Sequence, residues 1–364
     1  MIKAIRSLIC WLPLLTVICM APAFTEAASL SEDLYSFQVL IGGEPLNLPC
    51  AYERMMKAGW TYTGNEEELL KPEHTVSSAW EINGVLLSGE MVNTSWDVAP
   101  VKNCVLAAVE LDGAGAQVLL PGGVLLGVSG VKEVMDAYGA PSATYENGEI
   151  FQYTYQLNYG QEAVFTFSAV SGVLKAASLR NVVMTAAPDP EILTGVSASG
   201  SSSYHTPDSL GDNPLSFHVS YGNALYALPA PVGEFVKNGW VLKEGADSVV
   251  MAYGSGQVTL SLGLDQWTTW VYNNSDRAAL AQSCLVTTVV SDLNRSDIPL
   301  LLPGGVSIGM AEEAALAAFE RVAAKTSETG SLRRHTFSDG RAGIAVFVQR
   351  DTGLVSRVEV SNMP

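Results

Sequence analysis

Histidine and cysteine are scarce in this chain of 364 residues, which holds four of the first and five of the second. Cys10 and Cys19 fall within an N-terminal apolar stretch, which leaves Cys50, Cys104 and Cys284 and room for one disulfide at most. A fold with so few crosslinks must rest on its apolar core. The four histidines, His74, His205, His218 and His335, form no His-x-x-His or His-Glu-x-x-His spacing, and no cysteines are paired at metal-binding intervals. That argues against a conventional zinc site, and neither a metal nor a cofactor is expected.

Basic residues are also few. Twenty Lys and Arg face 37 Asp and Glu, a formal charge of -17, so a nucleic-acid backbone would be repelled over most of the surface. Past the N-terminus no apolar run is long enough to span a bilayer. The richest, Leu119 to Val131, is cut by Pro121, Gly122, Gly123 and Gly127. No Gly-x-Ser-x-Gly lies between a buried strand and a helix, and Gly254-Ser255-Gly256 reads as a loop. Leu-Pro-Gly-Gly lacks the lysine of a phosphate-cradling turn. These absences point away from an enzyme and leave a hydrolase, built from residues distant in sequence, as a lesser alternative.

The first residues do carry a signal. Lys3 and Arg6 precede an apolar stretch from Leu8 to Ala23, broken by Pro13 and Pro22, which is the layout of a secretory signal peptide over residues 1–28. Cys19 follows Val17 and Ile18 rather than small residues, so no lipid anchor is expected. The reading is an exported protein, secreted or on the exterior of the cell envelope, without membrane insertion once the signal is removed.

The chain also resembles itself. At a shift of 180, Phe37 meets Phe217, Leu48-Pro49 meets Leu228-Pro229, Gly59-Trp60 meets Gly239-Trp240, Asn93 meets Asn273 and Cys104 meets Cys284. The shift becomes 182 where Leu119 to Val124 repeats as Leu301 to Val306, and 181 where Asn181 meets Asn362. Such a register implies an internal duplication, with one unit over residues 29–184 and another over 215–364. Between them, residues 185–214 are rich in Ser, Gly, Pro and Asp and read as a flexible linker.

Within each unit the spacing predicts a strand, a short helix closed by Gly59 or Gly239, and then strands such as Val85 to Val92 and Cys104 to Leu111. A second helix follows, from Val131 to Tyr138 or from Glu312 to Arg321, and three strands close the unit. The expected class is α+β: two duplicated domains, each with short helices packed on one face of an antiparallel sheet and the other face open.

The segment Leu126-Gly127-Val128-Ser129 through Tyr138-Gly139-Ala140-Pro141 resembles the helix-plus-sheet modules of the β-lactamase-inhibitor-protein-like fold. It is similar as well to the outer-membrane assembly lipoproteins of the small-protein-A family. That resemblance implies a curved sheet whose open face binds another protein. Candidate anchors are Tyr153, Tyr155 and Tyr159 in one unit and Trp267, Trp270 and Tyr272 in the other, because Tyr and Trp are favoured at protein interfaces. The expected function is a non-catalytic, inhibitor-like pair of binding modules for a protein or peptide. A structural or assembly accessory of the envelope is the alternative. Asn93-Thr94-Ser95 and Asn273-Asn274-Ser275 fit the glycosylation pattern but read better as turn formers.

Overall fold

The computed structural model describes residues 30–112, 116–197, 203–293, 298–320, 322–339 and 341–364. The signal-peptide reading of residues 1–28 and the serine-rich centre of the linker, residues 198–202, lie outside them.

Antiparallel strands dominate. Ala143–Glu146, Ile150–Asn158, Gln161–Ser168 and Leu174–Asn181 run as a meander whose last strand pairs with Val105–Asp112. The sheet then continues through Val85–Val92 and Thr75–Ile82 to Thr61–Tyr62. Gln38–Ile41 is the centre of a separate small sheet, between Glu44–Asn47 and Val118–Leu119. From residue 218 the same order of elements returns, with His218–Tyr221 central in a small sheet and Ala324–Thr329 outermost in a large one.

Alternation explains which side of each strand is covered. On Gln161–Ser168, Ala163, Phe165 and Phe167 are buried, while Glu162, Val164 and Thr166 between them are only partly covered. The helices contribute less than the sequence suggests. Among the described residues four α-helices of six to eight residues supply one or two buried side chains each: Tyr52 and Met55, Val134, Val232 and Phe235, and Ala315. The rest of the cover comes from small-sheet and turn residues such as Val39, Ile41, Leu120 and Val124. Helices this short cannot blanket a sheet. The helix expected to reach Arg321 ends at Ala317, whereas Val131–Tyr138 has the predicted bounds. Gly59 and Gly239, at φ 92° and 90°, close their helices, and Trp60 and Trp240 donate back to the carbonyls of Met55 and Phe235.

Positions 180 apart share local geometry. Leu48-Pro49 and Leu228-Pro229 are both cis, and Phe37 and Phe217 are both left-handed. The amide of Asn181 donates to the Leu48 carbonyl at 2.6 Å, and that of Asn362 donates to the Leu228 carbonyl at 2.6 Å. Asn93 and Asn273 are buried, and each amide both donates to loop carbonyls and accepts from the serine two residues on. Both are turn formers with no room for a glycan.

One pair breaks the pattern and changes the sheet. Gly89 pairs directly with Val109, and a Cβ there would lie 2.3 Å from the Ala108 carbonyl oxygen. At the matching position Thr269 does carry a side chain, and its hydroxyl donates to the Thr288 carbonyl at 2.6 Å. The hydroxyl takes the space a strand would need. Val85–Val92 pairs along Val105–Asp112 over five residue pairs, while on the corresponding side Asp265–Tyr272 forms ladder pairs with Leu285–Val286 and touches Thr288–Asp292, which pairs in a different sheet, through the Thr269 hydroxyl.

Buried residues form two large clusters, one from residues 34–179 and one from 217–360, with a small third cluster between. In the third, Leu193, Ala278 and Leu280 are buried and Trp96 and Val249 pack against them. The Val98 amide donates to the Asp276 carbonyl at 2.8 Å, the Ala278 amide to Asp97 Oδ1 at 2.6 Å, and Lys71 Nζ sits 4.4 Å from the Tyr253 ring centre. The segment read as a flexible linker is docked at both ends. Thr185 binds Thr94, Trp96 Nε1 donates to the Thr185 carbonyl, and the Tyr204 hydroxyl accepts from the Ala227 amide. Its apolar residues are too few for sequence periodicity to register, yet Leu193 finds an apolar site.

Gly89→Thr should force the strands apart and lower stability by about 1–3 kcal/mol, read as a lower urea midpoint. Ser88→Thr, on the exposed side of the same strand, should change it by less than about 0.5 kcal/mol. Equal midpoints for the two variants would contradict the steric account.

Candidate functional site

The uncovered faces of the two large sheets differ in chemistry. In the first, Ser88, Gly89, Ala108, Glu90 and Glu110 line a shallow groove of about 430 Å³. Arg180 pairs with Glu90, and the Ser178 hydroxyl donates to Glu110 at 2.8 Å. The charges present are acidic and already engaged.

In the second, the strand register lays Asp292, Arg357, Phe347, Arg334 and Ser327 in one row across five strands. The Arg334 and Arg357 guanidinium carbons lie 5.4 and 5.1 Å from the centre of the Phe347 ring, so the phenyl is flanked by two cations. Arg357 also donates to Glu359 at 2.9 Å and lies 4.0 Å from Asp292. Arg334 is exposed. Beside this row Arg334, Thr336, Ser338, Arg341, Glu359 and Ser361 line a groove of about 240 Å³. Arg341 reaches the neighbourhood of Tyr272: burial raises that phenol's pKa and the Arg341 charge opposes the rise.

The six aromatics picked from sequence divide. Tyr155 is buried, its hydroxyl donates to the Gly139 carbonyl at 3.0 Å, and burial, then the neighbouring Tyr153, push its pKa up to about 12. Tyr153 is half-buried against Phe167 on the same inner side. Trp267 is a core residue packed among Tyr221, Phe235 and Trp240. Neither Tyr155 nor Trp267 can reach a partner without unfolding its surroundings. Tyr159 is 99% exposed on a turn, and Trp270, 53% exposed, shares the outer side of its strand with Tyr272. Trp270 and Tyr272 share the more exposed side of their strand, and Tyr272 feels the charge of Arg341.

Cys104 and Cys284 are buried, their thiols facing the carbonyls of Pro100 and Leu280 at 3.4 Å, and burial pushes their pKa values to about 11 and 12. As thiols they are poor nucleophiles. Among the described residues no three His, Cys, Asp or Glu side chains converge in a metal-binding group, and no helix is long and apolar enough to cross a membrane.

Behind the arginine face lies a polar cluster that sequence reading missed. His335, 5% exposed, contacts Glu312 Oε1 through Nε2 at 2.7 Å and Thr326 Oγ1 through Nδ1 at 3.0 Å. A carboxylate only accepts, so His335 donates through Nε2. Arg333 donates Nη1 to both Glu312 oxygens at 3.0 Å and Nε to Glu328 at 3.0 Å. Burial would raise the Glu312 pKa, but Arg333 and His335 outweigh it and hold the carboxyl below its usual range. Thr326, His335 and Glu312 stand in the order of a nucleophile, a base and an orienting carboxylate. Arg333 also donates to both carboxylate oxygens, and together these bonds brace the helix Glu312–Ala317 against two strands. The positions matching Arg333 and His335 in the first half are Phe151 and Tyr153, which pack on each other and on Phe167 instead. The signal available in the sequence was the run Arg333-Arg334-His335 with Arg341, Arg350 and Arg357 close behind. Averaging charge over the whole chain conceals it.

The linkage is signed by the lowered Glu312 pKa. Its stabilisation is complete above the ordinary value of 4.5 and is lost as pH falls through the lower folded value. Glu312→Gln should therefore reduce stability at neutral pH and flatten its decline below about pH 4.5. Parallel curves for the two proteins would remove the brace from the account.

No protein-family model matches the chain, and a search of curated proteins finds no match either. Geometry and chemistry alone bear on what it does.

Proposed function

We propose that the chain is an exported, non-catalytic binding protein of two duplicated α+β units, and that the open sheet face of the second unit is its site for a protein or peptide. The observation that carries this reading is the row Arg357, Phe347, Arg334, in which an aromatic ring is held between two cations on an uncovered face. A chain of net charge -17 concentrates three arginines there, and Tyr272 lies within the field of Arg341. Arg, Trp and Tyr are the residues that dominate binding energy at interfaces. The matching row of the first unit holds Gln152, Thr166 and Ala176, which offer none of this. Duplication, in this reading, supplied a scaffold, and substitution made one face adhesive. The recurring cis prolines, buried asparagines and capping glycines support a common origin for the two units.

A photo-crosslinking residue at Thr336 tests the face directly, with Thr154, its counterpart in the first unit, as the control. Incubated with the medium and envelope of the producing cell, the Thr336 variant should give a discrete adduct that Thr154 does not. Phe347→Ala should weaken that capture by about tenfold or more, or at least ~1.4 kcal/mol. Identical adducts from both positions, or none, would overturn the assignment.

A further inference from the structure

We infer that the outer strand Ala324–Thr329 takes up an extended acidic peptide as an additional strand, a proposal that rests on the binding role given above to the adjoining face. The strand pairs with Leu332–Asp339 on one side and ends the sheet on the other, and all six of its residues are exposed. A row of backbone donors and acceptors is thereby offered to solvent, which is what strand addition requires.

An edge strand is useful for recognition only if it is held straight before the partner arrives. The polar cluster behind this one does that: His335 bonds Thr326, Arg333 Nε bonds Glu328, and Arg350 stands 3.6 Å from Glu328. Alternate residues of the strand are thus fixed from the inner side, and the ordering cost is met before binding. The counterpart edge, Ala143–Glu146, is two residues shorter, and the positions behind it hold Phe151 and Tyr153, which make no such bonds to it. Bracing one edge and not the other gives the cluster a purpose that folding alone does not require.

Charge selects the peptide. Lys325 lies opposite Thr336 and Ser327 opposite Arg334, so the outward-facing residues of the strand belong to the arginine face. A peptide added at this edge would project every second side chain beside Lys325 and within reach of Arg334. Acidic residues at those positions complete the row. A lysine on an edge discourages pairing with another copy of the same edge, so the same residue that blocks self-association favours an acidic partner.

The test uses the whole protein and a short fluorescent peptide alternating Glu and Val, with two controls: the same peptide N-methylated on its pairing edge, and a Lys-for-Glu version. Fluorescence anisotropy should show saturable micromolar binding of the Glu peptide, weakened by salt, and about tenfold or more weaker binding after N-methylation or charge reversal. Lys325→Glu with Arg334→Glu, both at exposed positions, should abolish it while the far-UV spectrum and melting temperature hold. If the methylated and unmethylated peptides bind alike and the double variant releases both, the face binds peptides but strand addition is overturned. If the double variant releases neither, or no binding is seen, the face reading falls as well. Concentration-dependent dimers that the double variant abolishes, with no peptide uptake, would assign the edge to a second copy and overturn the peptide.

Discussion

A single backbone oxygen sets the layout of each half of this molecule. Where the Ala108 carbonyl crosses Gly89, two strands approach so closely that a β-carbon cannot be accommodated, and the sheet runs unbroken across the junction. Where Thr269 replaces that glycine, its hydroxyl occupies the gap and takes the Thr288 carbonyl for itself. The backbone group is satisfied in both cases, as a buried carbonyl must be. The difference lies in whether the donor belongs to a neighbouring strand or to a side chain wedged between strands.

That choice separates the sheets of the two halves. The continuous sheet of the first half packs phenylalanine and tyrosine on its inner side and leaves small polar and acidic groups outside. The second half ends in a five-stranded sheet whose inner side holds Arg333 and His335 against Glu312 beside the stacked Phe319 and Phe337 rings, and whose outer side carries the flanked Phe347 ring. Ion pairs as exposed as Arg333 with Glu312 and Glu328 add little net stability, since water screens them. Their better-supported use is to fix a geometry, and the geometry fixed here is that of an exposed edge strand. The docked connector and the contacts of Trp96 and Asp97 set both halves in one arrangement.

Much of this was legible in the residues and some could not have been. Val85–Val92 and Val131–Tyr138 followed from apolar period, and the glycines at 59 and 239 from the need for a left-handed cap. Polar edge strands such as Ala324–Thr329 carry no alternation and were invisible. The aromatics were judged by type when parity decides their fate. Trp267 and Trp270 are an odd number of residues apart and so face opposite ways, while Trp270 and Tyr272 share a side. Tyr153 and Tyr155 also share a side, but it is the inner one. The wedge at Thr269 depends on where a carbonyl lies in space, which no local pattern records.

The most direct measurement is amide hydrogen exchange compared strand against strand. If the glycine and the threonine divide the two sheets as argued, the amides of Val105–Asp112 are protected on both sides of the strand. Those of Thr288–Asp292 that point toward Asp265–Tyr272 exchange at rates set by local opening. Equal protection of the two strands would show that the second sheet is continuous after all, and the steric origin of the difference would be lost.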